Sequence, residues 1–529
     1  MEKADYSEKV EKTGPIVSVS SSSSSTKSET APPLTGNHHH PSSPGASPQE
    51  EYTVVSFEPN DRANPHNWSL LTKSLIFLSA FLSTTTTSFS STLPSNFSPS
   101  LPVLFAVPDP SGPQRVLPAS LYLAGFVFGP LVWAPLSESP LVGRWRVLVS
   151  AAGLFVVMCL GQAVVREGDW VGFLVLRFFG GVVASPPETN IITRSATTFV
   201  GPLGAPILAG YVSTSLGWRA VMWIALSLAV ASFIGVLLMP ETLASTILRR
   251  KAARLNKEFP GTGKVFVAPS DLKQESAWVE YKTTLSRPWH LLFGEMVVSL
   301  SCAYLGFVYA VFYMLLQIFP RIFQGVYSFT PGMSGILFTI MGLGTATGCC
   351  LFVWYDGVAP RLIAKHPTKR EEYLRLPLVC AGGPLYVASM LWLGWSARSD
   401  IHWLVPLSSM IPYGLAYHLI YVGIVNYVAD AYGIYSASAL AAMSMTRSVL
   451  GTLLPLAIED MVDGLGIAWS CTLLAGVSAG LALVPFGFVA YGERIRAASR
   501  FSAALKPAAA AAREGGGVGL ARVTSLSAV

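Results

Sequence analysis

From Leu70 to Tyr491 one long apolar stretch follows another, each closed by a proline, a glycine or a knot of charge. The hydrocarbon layer of a membrane is about 30 Å thick, and a helix needs roughly 20 apolar residues to cross it. About twelve stretches meet that length, so the chain is built to cross a membrane many times. Lipid offers no hydrogen bonds to the backbone, so such segments must form helices that satisfy their own polar groups. Charged residues are only 12% of the chain, against about 25% in soluble domains. These features predict an all-α polytopic membrane protein.

The predicted spans cover 70–93, 117–138, 147–166, 170–188, 198–217, 220–239, 291–319, 333–354, 377–397, 402–429, 436–459 and 466–491. The first is the most polar, with Lys73 and the run Ser83 to Thr87. Its hydroxyls can bond back to carbonyls of their own helix, which lets it span if it faces protein. The longest polar connection, 241–290, separates six spans from six. The expected organisation is a disordered tail over 1–65, a six-helix bundle over 66–240, a central cytoplasmic loop over 241–290, a second six-helix bundle over 291–496 and a disordered tail over 497–529. The first tail holds the run Ser18 to Ser25 and few large apolar residues, so it cannot build a core. No apolar core of a signal peptide follows the start. His38, His39 and His40 read as solvated, and no metal site is expected.

Arg144, Arg146, Arg249, Arg250, Lys251, Arg254, Lys257, Lys369, Arg370 and Arg375 crowd one face. The other carries only Arg115, Arg166, Arg219, Arg321 and Arg398. The positive-inside rule makes the first face cytoplasmic and places both termini inside. The net charge of +6 therefore reflects topology and gives no signal for nucleic acid. Of two sequons, Asn67-Trp68-Ser69 falls inside, and Asn96 in Asn96-Phe97-Ser98 is the glycosylation candidate. The six cysteines lie in apolar runs without ligand spacing and read as buried small apolar residues. No GxxxxGK[ST] phosphate loop is present, and the histidines outside the tail are isolated, which speaks against an ATP-driven pump and against an enzyme.

Several segments carry a family resemblance: Asn64-Pro65-His66-Asn67-Trp68-Ser69 before the first span, Gly129-Pro130 through Glu138 at the end of the second, and Arg177-Phe178-Phe179-Gly180-Gly181 in the fourth. Gly201-Pro202-Leu203-Gly204-Ala205-Pro206 to Gly210, then Gly217-Trp218-Arg219, mark the fifth; Pro240-Glu241-Thr242-Leu243 follows the sixth. Asn426 to Tyr432 and Ser436 to Leu440 mark the tenth and eleventh. In order and spacing these resemble the fungal twelve-span drug:proton antiporters of the major facilitator superfamily, over residues 64–500. The resemblance departs in three places, one of them the two extra residues between Glu138 and Gly143-Arg144. Ala134 stands where glycine is usual, and the segment from Arg177 to Gly201 is short by roughly 20 residues, although 169–217 still holds two helices at about 1.5 Å per residue.

The resemblance implies a gate on the cytoplasmic side at Glu138 and Arg144, and a proton-coupling role for the buried Arg177. Arginine does not release its proton, so a carboxylate must titrate, with Glu188 and Glu295 as candidates. Gly201, Pro202, Gly204, Pro206 and Gly210 would form a kinked helix packed closely at the seam between the halves. Tyr309, Tyr313 and Gln317 share one helix face, as do Tyr413, Tyr417 and Tyr421, with Asn426 beyond; these stripes are candidate walls of a substrate cavity. Arg447 is expected to pair with Asp430. The implied activity is export of small amphipathic compounds (drugs, toxins or secondary metabolites) by a monomer in the plasma membrane, driven by the proton gradient without a cofactor. Import or exchange of a nutrient or polyamine, and a transport-inactive relative, remain as alternatives.

Overall fold

The computed structural model describes residues 51–58, 60–96, 101–107, 113–186, 194–259, 264–272, 277–365 and 370–498. The first bundle comprises α1 (Leu70–Thr92), α2 (Pro113–Glu138), α3 (Arg144–Val164), α4 (Trp170–Ala184), α5 (Arg194–Leu216) and α6 (Trp218–Leu237). Two helices follow in the central connection, α7 (Ala244–Glu258) and α8 (Ala277–Gly294). The second bundle comprises α9 (Met296–Pro320), α10 (Pro331–Lys365), α11 (Arg370–Ser396), α12 (Met410–Tyr432), α13 (Ser436–Leu453), α14 (Ile458–Leu481) and α15 (Leu483–Ala498). Gly466, at φ +76°, breaks α14 where the last span was expected to begin. Among the described residues, eight helical stretches are long and apolar enough to cross a membrane.

The apolar surface is arranged for lipid. Leu154, Val157, Leu160 and Val164 of α3, and Val230, Ile234 and Leu237 of α6, are exposed at three- and four-residue steps. Water would disfavour such stripes, and a bilayer favours them. The polar face of α1 points the other way: Ser83, Thr84 and Thr86 to Thr92 are buried. Thr84 and Thr86 donate to the carbonyls of Ala80 and Leu82 at 2.9 and 2.7 Å, so these hydroxyls cost no unpaired donor. The α4 helix starts where the Asp169 carboxylate caps the amide of Gly172 at 2.9 Å. Its 15 residues reach about 22 Å, shorter than the predicted 170–188 span. Cys349 and Cys350 are exposed, against the expectation that all six cysteines are buried.

The contacts separate two compact units. One holds the described residues of Met1–Lys73, Glu138–Arg144 and Glu241–Ser276; the other holds the spans. In the first, β1 (Glu51–Val54) pairs in parallel with β2 (Lys264–Val267), so residues 51–54 of the expected disordered tail form a strand. Residues 1–50, with the histidine tract, and 499–529 lie outside the described residues. Ala252 of α7 packs with Val55 and Ala268, flanked by Leu248, Leu255 and Phe266. The Asn256 amide clasps β2, donating to the Phe266 carbonyl and accepting from its amide, both at 2.8 Å. The Lys251 ammonium meets Asp61 at 2.8 Å. Burial pushes the Asp61 carboxyl up, but Lys251 and the Ala63 amide outweigh it and hold the group below its ordinary range.

Candidate functional site

Polar groups buried in a membrane protein are expensive, so their positions mark candidate function. Arg177 of α4 is 0% exposed. Its guanidinium donates to the carbonyls of Pro118, Ser90 and Ser91 at 2.8, 2.9 and 3.3 Å and lies 4.5 Å from the Tyr122 ring centre. Pro94 explains one of these bonds. A helical carbonyl at position 90 takes its proton from the amide at 94, and proline has none. Arg177 supplies the missing donor at the negative end of α1. The partners shown for Arg177 are backbone oxygens. Of the two proposed partners, Glu188 lies outside the described residues, and Glu295 accepts a hydrogen bond from the Tyr432 hydroxyl at 3.2 Å.

The second buried guanidinium, Arg447 of α13, donates to the Tyr421 hydroxyl at 2.6 Å and to Ser444 at 3.4 Å, over the Tyr309 ring at 4.5 Å. Asp430, its expected partner, instead accepts from Arg375 at 3.1 Å, and Asp356 accepts from the same guanidinium at 3.2 Å. The reason is helix depth. Asp430 lies in the last turn of α12, whereas Tyr421 lies more than two turns earlier, beside Arg447. Sequence reasoning counted Arg375 only as a topology charge; its signal was an arginine that enters an apolar helix rather than staying in the loop.

The predicted aromatic stripes do come together. Tyr309 donates to the Tyr313 hydroxyl at 3.3 Å, and Tyr313 shares a hydrogen bond with Ser91 of α1 at 2.8 Å. On α12, Tyr417 lies between Tyr413 and Tyr421, with ring centres at 6.4 and 6.1 Å, and Phe312 sits 5.4 Å from Tyr417. Tyr386, which the sequence did not single out, hydrogen-bonds Tyr413 at 3.2 Å. Gln317 is buried on the same helix as Tyr309 and Tyr313, and Asn426 is half-buried. The chain of polar groups Ser91–Tyr313–Tyr309–Arg447–Tyr421 thus runs from the first bundle into the second.

The fifth helix supplies much of the seam. A Cβ at Gly335 of α10 would meet the Pro206 carbonyl at 2.5 Å across the seam, and one at Gly201 would meet the Thr85 carbonyl at 2.5 Å within the first bundle. The Thr92 hydroxyl donates to the Pro202 carbonyl at 3.4 Å. Gly210 is buried, and its carbonyl accepts from Thr214. Gly204 is different: a Cβ there meets nothing within 4 Å, so it is not a close-contact position.

In the smaller unit, Glu241, which the sequence placed only in a family motif, organises the turn that carries Arg144. Its Oε1 accepts from the backbone amides of Arg144, Thr242 and Leu243 at 3.2, 3.0 and 3.0 Å, joining the 138–144 turn to the start of the central connection. Gly143 has φ +84°, and a Cβ there would lie 2.3 Å from Glu241 Oε2. Glu138 itself is exposed. Asn96 ends the turn Leu93–Asn96, and positions 97 and 98 of its sequon lie outside the described residues.

Comparison with known proteins matches this architecture. The Major Facilitator Superfamily profile aligns with residues 189–455. The chain is 31% identical over 475 residues to the Major facilitator superfamily multidrug transporter mdrA of Aspergillus fumigatus, covering 86% of this chain and 76% of that protein. It is 30% identical to Efflux pump FUBT of Fusarium oxysporum (87% and 79% covered) and 32% identical to MFS transporter cpaT of Aspergillus oryzae (86% and 95% covered). Among solved structures, the proton:xylose symporter XylE bound to 6-bromo-6-deoxy-D-glucose superposes with a TM-score of 0.58 at 16% identity, covering 80% of this chain and 97% of that one. The inward open xylose transporter XylE from E. coli gives 0.56 at 18%, covering 79% and 96%. Those identities speak for the fold alone. With two helical bundles joined by a central connection, a buried arginine in the fourth span and relatives matched along most of their length, the chain belongs to the major facilitator superfamily, a family of membrane transporters rather than enzymes.

Proposed function

We propose that this chain exports small amphipathic compounds, of the drug, toxin or secondary-metabolite class, from the cytoplasm by proton antiport with alternating access. It works as a monomer in the plasma membrane with both termini cytoplasmic, and the proton gradient replaces any cofactor. The relatives named as multidrug transporter and efflux pump support the cargo class. The observation that carries the reading is the polar and aromatic chain across the seam. Amphipathic cargo needs aromatic walls and a few polar handles, and Tyr309, Tyr313, Tyr417, Tyr421 and Arg447 offer both where the bundles meet. A rocking transporter opens along such a seam.

The test uses everted membrane vesicles from a pump-deficient yeast expressing the full chain. With a proton gradient imposed, a panel of amphipathic toxins is added and proton release from the lumen is followed. Cargo-dependent release, lost in Tyr421→Phe and Arg447→Gln at normal expression, supports antiport through this seam. Proton movement that accompanies cargo in the same direction would make the protein an importer. Cargo flux unaffected by either substitution would remove the seam tyrosines from the path.

A further inference from the structure

At the opposite end of the bundles from Arg375 lies a second charge cluster, which neither the family motifs nor the aromatic seam accounts for. Glu459, in the first turn of α14, is 6% exposed. The guanidinium of Arg321, just beyond α9, contacts Glu459 Oε2 through Nη2 and Asp463 Oδ1 through Nη1 at 2.5 Å. Glu459 and Asp463 are four residues apart and so share a face. These three residues belong to the second bundle. Arg115, in the first turn of α2, belongs to the first, and its Nη1 reaches the same Glu459 Oε2 at 3.6 Å.

We propose that Glu459 is the clasp of a gate, holding the two bundles together at this end through Arg115 and releasing it when the end opens. The inference rests on the alternating-access reading above. The geometry separates two roles. Arg321 and Asp463 fix Glu459 within its own bundle and remain satisfied whichever way the bundles rock. The Arg115 contact is longer and spans the seam, so it is the bond that rocking breaks. A bistable interface of this kind needs a contact present in one state and replaced by water in the other. Arg115 is placed for that exchange, because its side chain is one-third exposed while Glu459 is buried. Breaking the contact hydrates an arginine at the rim and leaves the buried carboxylate still held by Arg321.

A cysteine reporter one to two turns deeper tests the clasp without substrate or proton gradient, so the result stands apart from whether the cargo reading holds. Ser120 is buried, its hydroxyl has no hydrogen-bond partner, and Leu123 on the same face packs near Gly451 of α13. Ser120→Cys is labelled on intact cells with a membrane-impermeant maleimide, from the extracellular side that the charge asymmetry assigns to this end, and compared with cells lacking the reporter. Arg115→Gln should raise the labelling rate roughly fivefold, the scale of a modest coupling between states. Arg115→Lys, which keeps the cation, should label like the parent. Arg398→Gln breaks a surface pair with Asp400 within the second bundle and should change nothing. Glu459→Gln should also accelerate labelling, but it leaves two arginines facing each other, so Arg115→Gln, with the Arg321 contacts intact, is the deciding variant. Labelling of Arg115→Gln at the parent rate, or no faster than that of Arg398→Gln, overturns the proposal.

Discussion

The Arg177 site makes a prediction that separates a helix cap from a generic buried charge. Replacing Arg177 by alanine removes three charge-assisted hydrogen bonds to carbonyls and a cation–π contact. Hydrogen bonds to charged groups contribute about 1.5–3 kcal/mol each in water-soluble proteins, and polar contacts within membranes average nearer 0.6. With the 3.3 Å bond counted as weak, the loss comes to about 3–5 kcal/mol, in line with other losses of buried charge partners. Part of that cost arises because the Ser90 carbonyl has no amide donor at position 94. Pro94→Ala restores that donor, so Arg177→Ala should cost about 1 kcal/mol less in the Pro94→Ala background. Equilibrium unfolding in mixed SDS and detergent micelles, run on the parent, both single variants and the double variant, gives the coupling directly. Additivity within about 0.5 kcal/mol would refute the capping argument and leave Arg177 as a charge that is merely accommodated.

Gly143→Ala should destabilise the smaller unit by about 2 kcal/mol, combining a left-handed backbone with a clash against Glu241, and should lower transport; Gly204→Ala, where space is open, should be close to neutral in the same unfolding assay. Arg375→Gln leaves Asp356 and Asp430 facing each other without their cation and should cost about 2 kcal/mol, more than Asp430→Asn at about 1; the reverse order would show that Arg375 is the strained partner. The Asp61–Lys251 pair should contribute about 0.5–1 kcal/mol. Because the folded state holds the Asp61 carboxyl below its unfolded value, that contribution is full above the ordinary carboxylate range and is lost as pH falls through it. The protection factor of the Val55 amide, bonded to the Val267 carbonyl, should therefore drop below about pH 4 in the parent and show a smaller step in Lys251→Gln, where only the Ala63 amide still holds the carboxylate.

The helices and their grouping were legible because apolar length is a local property of the chain. Even the hydroxyl-rich α1 followed from a local rule, since Thr84 and Thr86 bond to carbonyls one turn back. Side-chain partners were less legible, because they depend on the rotation and depth of helices distant in sequence. Arg447 and Asp430 looked complementary by charge alone, yet the turns separating Asp430 from Tyr421 on α12 send one to Arg375 and the other to Arg447. The clue for Arg177 was present: a proline four residues after Ser90 announces an orphaned carbonyl and asks for a donor from another helix. Glu241 stood within a recognised segment, but its task became visible only once three backbone amides converged on one oxygen.

The partners sort the buried arginines into two kinds with different consequences for coupling. Arg177 and Arg447 are shown bonded to carbonyls, hydroxyls and ring faces. Arg375 and Arg321 are held by carboxylates at opposite ends of the second bundle, where α12 ends and where α14 begins. An arginine keeps its proton, so a proton can be exchanged only at a partner that titrates. Coupling through the second kind needs only that a gate open and admit water to a carboxylate already present. On the antiport reading proposed above, the end clusters combine a carboxylate and a moving interface in one place. A seam variant such as Tyr421→Phe should accordingly weaken cargo binding while leaving the pH dependence of whatever flux remains unchanged, and a shift in that dependence would return the coupling to the seam.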